Sequence, residues 1–152
     1  GVIRRAALLH ERAALTFASH DRKLESLFWL VWCCHHLGRH RDVKIHAGVF
    51  WEAVRKGAAH QSSLSECIVL RHAKTLLFSA QAMRMESDAV VARSLAEEAL
   101  AIVEKLSTPS IVRALILHEC ALLHWDDGST SDTTITALEV AEEAWRKIFK
   151  HL

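Results

Sequence analysis

The hexapeptide Leu95-Ala96-Glu97-Glu98-Ala99-Leu100 returns 45 positions later as Val140-Ala141-Glu142-Glu143-Ala144-Trp145. Recurrence at such a period marks stacked helical units, each too small to bury its own apolar face and therefore leaning on the next. A chain built this way places sequence neighbours side by side in space. Its natural product is an extended surface for other macromolecules, not an enclosed reaction vessel.

One Pro and five Gly in 152 residues leave little to interrupt helices, so the expected fold class is all-α. The length suits one domain spanning residues 1–152. A hydrophobic fraction of 51% and a mean hydropathy of +0.11 are rich for a free-standing domain of this size, and predict apolar surface that something else covers. Helical text begins at Gly1 and is still running from Trp145 to Leu152, which reads as a segment of a longer protein. No apolar run approaches the ~18 to 20 residues of a membrane span. No charged-then-apolar leader opens the chain. Cys33 and Cys34 are adjacent, and Cys67 and Cys120 stand alone, a spacing unlike a disulfide framework. An intracellular, cytoplasmic or nuclear setting is expected.

Hydrophobic periodicity predicts seven helices. The first covers about Ile3 to Ala18, with Ala6, Leu9, Ala13 and Phe17 as its stripe. Ser19-His20-Asp21 breaks and caps. The second runs from Lys23 to Leu37, with Leu24, Leu27, Phe28, Val31 and Cys34 on one stripe and Trp29, Leu30 and Cys33 elsewhere, so neighbours are expected on both sides. A buried strand competes over Leu27 to Cys34, but helical text surrounds it. Gly38-Arg39-His40 forms a turn, and Asp42 to Lys56 carries Val43, Ala47, Phe50 and Val54. Ser63 and Glu66 have capping-box spacing. The fourth helix then runs to about Met85, burying Cys67, Leu70, Ala73, Leu77 and Ala80. Ser87-Asp88 caps a fifth with Val91, Leu95, Ala99, Ile102 and Leu106 as its stripe. Thr108-Pro109 opens a sixth ending near Trp125. A polar loop from Asp126 to Ser131 precedes the seventh, with Leu138, Ala141, Trp145, Ile148 and Leu152.

Pairing helices across their joints gives hairpins over about 22–57, 62–106 and 108–152, with the first helix left from a preceding hairpin. The second members start near Arg41, Asp88 and Asp132, separations of 47 and 44 residues. The expected architecture is a right-handed α-solenoid of stacked hairpins, and its competitor is an irregular helical bundle on the same stripes.

Leu27, Leu30, Val31, Cys34, Gly38, Val43, Ala47 and Phe50 stand at the signature positions of a tetratricopeptide repeat, which this stretch resembles. Gly38 and Ala47 agree with the motif, Val31 and Val43 are larger than it asks, and Cys34 replaces an aromatic. The later hairpins look like the longer repeats of kinesin light chains and of large helical-repeat transcriptional activators, with the Ala-Glu-Glu-Ala segments in the second helix of each. The resemblance covers most of the chain from Leu24 onwards. It implies a partner-binding scaffold whose concave face would present Glu25, Phe28, Trp32, His35 and His36. Such a groove suits an extended peptide or a partner helix, with Trp32 as anchor. The competing reading packs Phe28 and Trp32 against the first helix.

Charge is divided along the chain: residues 1–76 hold 12 Lys and Arg against 6 Asp and Glu, and residues 77–152 hold 7 against 12. Arg39, Arg41, Lys44, Arg55 and Lys56, with His40 and beside Trp51, form a candidate basic patch for nucleic acid or an acidic segment. A nucleic-acid-binding repeat is therefore the alternative function, set against ordinary solvated helix faces. Among eleven histidines, Cys33, His36 and His40 fall on one helical face, but no further ligand pair completes a tetrahedral site. His10-Glu11 and His118-Glu119 are followed at the required spacing by Ala14 and Leu122, not His, so neither is a zinc-protease helix. His118 is expected in a core stripe with Ile111, Leu115, Leu122 and Trp125. No nucleophile elbow or phosphate-cradling glycine loop occurs. The expectation is a non-enzymatic protein–protein interaction scaffold within a larger complex, with no cofactor or metal and no membrane.

Overall fold

The computed structural model describes residues 1–16, 19–58, 65–106, 110–126 and 132–150. Within them the chain is all-α, with no strand. Its helices are α1 (Val2–Thr16), α2 (His20–His36), α3 (His40–Ala58), α4 (Glu66–Met85), α5 (Ala89–Val103), α6 (Ile111–Asp126) and α7 (Asp132–Phe149). The apolar run Leu27 to Cys34 is helical throughout.

Short polar side chains set the helix starts by accepting orphan amides of the first turn. The Ser65 hydroxyl accepts from Ile68 N at 3.4 Å, Asp88 Oδ1 from Val91 N at 3.2 Å and Ser110 Oγ from Arg113 N at 3.1 Å. The cap of α4 is thus Ser65. Ser63, the Thr108-Pro109 boundary, the loop from Asp127 to Ser131, Phe17 and Leu152 lie outside the described residues. Two helix ends share one device, a residue in the left-handed region closing a double hydrogen-bonded turn. After α2 the residue is Gly38 (φ 66°), with Gly38 N to His35 O at 3.0 Å and Arg39 N to Cys34 O at 2.9 Å. After α4 it is Ser87 (φ 65°), with Ser87 N to Arg84 O at 3.0 Å and Asp88 N to Met83 O at 2.9 Å.

Every consecutive pair of helices packs together, and α2 also meets α4, as α4 meets α6. The helices therefore form a stack of hairpins, α2–α3, α4–α5 and α6–α7. The first members make a continuous row, and α1 packs against α2. Among the described residues α3, α5 and α7 do not pack on one another.

The seams between helices are made of small residues. On α3 the buried row is Val43, Ala47, Phe50 and Val54, and on α5 it is Ala92, Ala96, Ala99 and Val103, both at i, i+4, i+7 and i+11. Ala141 and Ala144 do the same on α7, and Ala7 and Ala14 on α1. The repeated Ala-Glu-Glu-Ala thus turns its alanines inward, while Glu97, Glu98 and Glu142 are exposed. Several expected stripes are corrected by this. Leu9 is exposed on α1, Cys67 on α4, Val91 on α5 and Leu138 on α7. On α6 the core is Ala114, Ile116, Leu117, Ala121 and Leu123, whereas Ile111, His118 and Trp125 face outward. Alanine lets two backbones approach closely enough for dispersion to act along the whole seam, and the larger residues one position away then have no room inside.

Among the side-chain links between hairpins, two involve partly buried polar groups. Half-buried Trp51 of α3 packs against three core clusters, the third of them built on Ala73, Leu76 and Leu77 of α4. Its indole N–H donates to Thr75 Oγ1 at 2.8 Å, and Thr75 donates its own proton to the His72 carbonyl at 2.8 Å. Between α4 and α6, the Glu119 carboxylate is 1% exposed. It accepts from Arg84 Nε at 2.6 Å and from Gln81 Nε2 at 3.3 Å, while Arg84 also reaches Asp126 at 3.4 Å.

Candidate partner-binding surface

Two turns of α2 carry Trp29, Trp32 and His36 at i, i+3 and i+7, a spacing that puts them on one face. Their rings form a ladder, Trp29 to Trp32 with centroids 5.9 Å apart and Trp32 to His36 at 4.0 Å. Phe28 extends it edge-on to Trp29 at 5.2 Å. His35 leaves the ladder toward α4 and stacks on Phe78 at 4.3 Å with 22° between the planes. A second crossing to α4 pairs Arg71 with Glu25 at 3.4 Å and lays the guanidinium 5.5 Å from the Phe28 ring centre. The exposed part of this aromatic and imidazole face lies on α2, and buried Phe28 and Phe78 support it and join it to α4.

The five residues expected there fall into different places. Glu25 and His36 are exposed, and Trp32 and His35 are partly buried. Phe28 is only 5% exposed and packs with Ala14, Leu27 and Phe50, so it supports the surface from beneath. Trp32 rests on the cluster of Ala7, Leu30 and Val31 near Ile3 and Ala6 of α1, presenting its remaining edge outward. Packing on the first helix and participation in the ladder thus coexist in one side chain. Trp29, which the sequence reading left among core residues, is 36% exposed. Beside it a hollow of about 550 Å3 opens between α1 and α2, walled by Leu9, Ala13 and Trp29 and rimmed by Arg22 and Glu25.

Burial governs the titration of this face. The His35 imidazole is pushed down to about 4, first by burial and then by the neighbouring His36 and His40. Burial likewise lowers His72 and raises the Cys33 thiol, and it lifts Cys34 to about 11. These two cysteines are apolar core residues in their chemistry, lacking the electropositive, accessible setting of a reactive thiol. Cys33 is buried and His36 exposed, so the expected Cys33, His36 and His40 face does not converge on one point. Among the described residues no group of three or more His, Cys, Asp or Glu is placed to hold a metal ion.

The basic residues follow the length of α3, and most of them are ion-paired. Arg39 pairs with Asp42 at 2.5 Å, Lys44 with Glu86 at 2.5 Å, and Arg55 and Lys56 both with Glu52 at 2.7 and 3.6 Å. Arg41 is exposed. From Arg39 to Lys56 the chain follows the length of α3, a span of roughly 25 Å at helical rise. The excess charge of the first half is thus spread along a second helix, with four of the five cations sharing three carboxylates.

Sequence spacing alone contained the Trp29, Trp32 and His36 stripe. What it lacked was the partner element, because Arg71 and Phe78 join the site only through the α2–α4 crossing. Among the described residues no helix is long and apolar enough to cross a membrane. No family model, curated protein or solved structure matches the chain.

Proposed function

We propose that this chain is a tetratricopeptide-like protein–protein interaction scaffold that receives a peptide or helix of a partner along the row of first helices. The observation that carries the reading is the half-exposed ladder Trp29, Trp32 and His36, anchored to α4 from beneath by His35 stacking on buried Phe78. Aromatic side chains held rigidly by their neighbours, yet open on one edge, are the anchors on which binding energy concentrates. The hollow beside Trp29 offers room for an incoming side chain. The nucleic-acid alternative rests on the basic first half, and the ion pairs along α3 count against it.

Peptide display against the folded chain tests the proposal. Selected peptides should compete for one site, and Trp29→Ala should weaken them at least about tenfold, the scale of a hot-spot residue, with helical content unchanged. Arg41→Ala should leave them unaffected. Binders that ignore Trp29→Ala, or a salt-sensitive RNA complex lost with Arg41→Ala, would replace this reading.

A further inference from the structure

Helices α4 and α6 start 45 residues apart, at Glu66 and Ile111, and the seam Ala92, Ala96, Ala99 and Val103 of α5 returns on α7 at the same interval as Ala137, Ala141, Ala144 and Ile148. Each place on α4 therefore has a counterpart on α6. The side of α4 that receives α6 holds Ala73 and Leu77, in one core cluster with Ile116, and Gln81 and Arg84, which donate to Glu119. The counterparts of Ala73, Leu77 and Gln81 are His118, Leu122 and Asp126, and Trp125 stands where α4 has the fully buried Ala80. Trp125 is 66% exposed. Among the described residues α6 thus turns outward the side that on α4 takes the next helix.

Helix α7 widens that end. Its Thr133, Thr136 and Val140 border the hollow shared with α5, so Ile135, Leu138, Trp145 and Phe149, at i, i+3, i+10 and i+14, lie on the flank away from α5. Ile135, Leu138 and Phe149 are exposed, and Phe149 stacks on Trp145 at 6.0 Å. Contiguous apolar surface of this kind, rimmed by polar residues, marks an interaction site.

At the opposite end α1 buries Ala7 and Ala14 and turns out Leu8 and Leu15. Those leucines have the i, i+7 spacing of Ile116 and Leu123, the buried side chains that α6 shares with the clusters of Ala73 and Ala80 on α4. The charges of the two ends are opposite. Arg4, Arg5 and Arg12 on α1 make no ion pair among the described residues. Asp126, Glu139 and Glu142 at the α6–α7 end are exposed; Asp126 and Glu142 already pair with Arg84 and Arg146, and Glu139 makes no ion pair among the described residues. Where Gln81 on α4 donates to the Glu119 of α6, Asp126 is an acceptor and asks the incoming helix for a cation. With Leu8 and Leu15 laid where Ile116 and Leu123 lie, Arg12 falls one residue past the place of Glu119.

We propose that the α6–α7 end binds α1 of a second copy of this chain, a head-to-tail contact in which Leu8 and Leu15 seat on the surface of Leu122, Trp125 and Leu138 and the arginines of α1 meet its acidic rim. The contact joins two different faces, so each pair of copies keeps one free face of each kind and growth continues until the stack closes into a ring or runs on as a fibre. It does not rest on the Trp29 ladder and stands or falls separately.

Sedimentation equilibrium on the full chain tests this. The mean mass should rise with concentration, and added sodium chloride should lower it by screening the charges. Leu15→Glu and Trp125→Glu, both at exposed positions, should each weaken self-association at least about tenfold with helical content unchanged. Mixed one to one, the two variants should form a dimer that grows no further, because each supplies the face the other has lost. Val90→Glu, on an exposed position of α5, should associate like the parent. A parent that stays monomeric at every concentration, or a mixture of the two variants that stays monomeric, overturns the proposal. Association that survives Leu15→Glu but not Trp125→Glu also overturns it, and makes the α6–α7 end a symmetric joint with itself.

Discussion

Replacing Arg84 with Met would leave the Glu119 carboxylate, 1% exposed, with the Gln81 amide at 3.3 Å as its remaining hydrogen-bond donor. The lost contact is a charge-assisted hydrogen bond of 2.6 Å from Arg84 Nε. Stranding one member of a buried pair costs about 3–5 kcal/mol. Arg84 is 24% exposed and its contact with Asp126 lies at the surface, so screening leaves little there and the lower end applies, about 3 kcal/mol. A domain of this size is stable by roughly 5–15 kcal/mol, so that loss is a large share of the total. Changing both partners to Met removes the uncompensated charge and should return stability to within about 1 kcal/mol of the parent, or exceed it. Urea unfolding followed by circular dichroism, run on both single variants and the double, gives the coupling as a double-mutant cycle. A cost below about 1 kcal/mol for Arg84→Met, with no coupling to Glu119, would refute the claim that this pair holds α4 to α6.

The two left-handed helix ends make a paired forecast: Ser87→Gly should stabilise by about 1 kcal/mol and Gly38→Ala should destabilise by a similar amount, because only glycine adopts that region without strain. Matching effects of the same sign in thermal melts would refute it. His35 supplies a pH dependence. Its folded pKa of about 4 lies below the ordinary 6.5, so the unfolded chain binds the proton first. Stability is then full above about 6.5 and declines as pH falls toward 4, and His72, lowered in the same direction, adds to the decline. His35→Phe should keep the stack on Phe78 and flatten that slope, and a variant that titrates like the parent would show that His35 does not drive it.

Periodicity read the number and order of the helices well because nearly every segment alternates apolar and polar residues at a helical period, with few glycines to blur the ends. It chose the correct buried face on α2 and α3, where Phe28, Val31, Val43 and Phe50 are both bulky and inward. It chose a neighbouring face on α5 and α6, because it favoured the largest apolar residues. In a tightly stacked solenoid the seam goes to alanine, so Ala92 and Ala96 are buried while Val91 is exposed. On α6, apolar nearly all round, no period could decide between Leu117 and Trp125. The candidate surface was half legible for a related reason. The Trp32 and His36 stripe is local to one helix, whereas its continuation through Phe78 depends on which helix lies beside which.

Among the described residues no helix backbone approaches another more than two places away in the order α1 to α7. Among those residues α1 is therefore not clasped to α7. Each hairpin can form from residues close together in sequence, which keeps the search short and the folding fast. The same arrangement lets disorder enter from either end and advance one hairpin at a time, with the other end still folded. A pull on the two termini would meet a series of small, successive resistances instead of one large one.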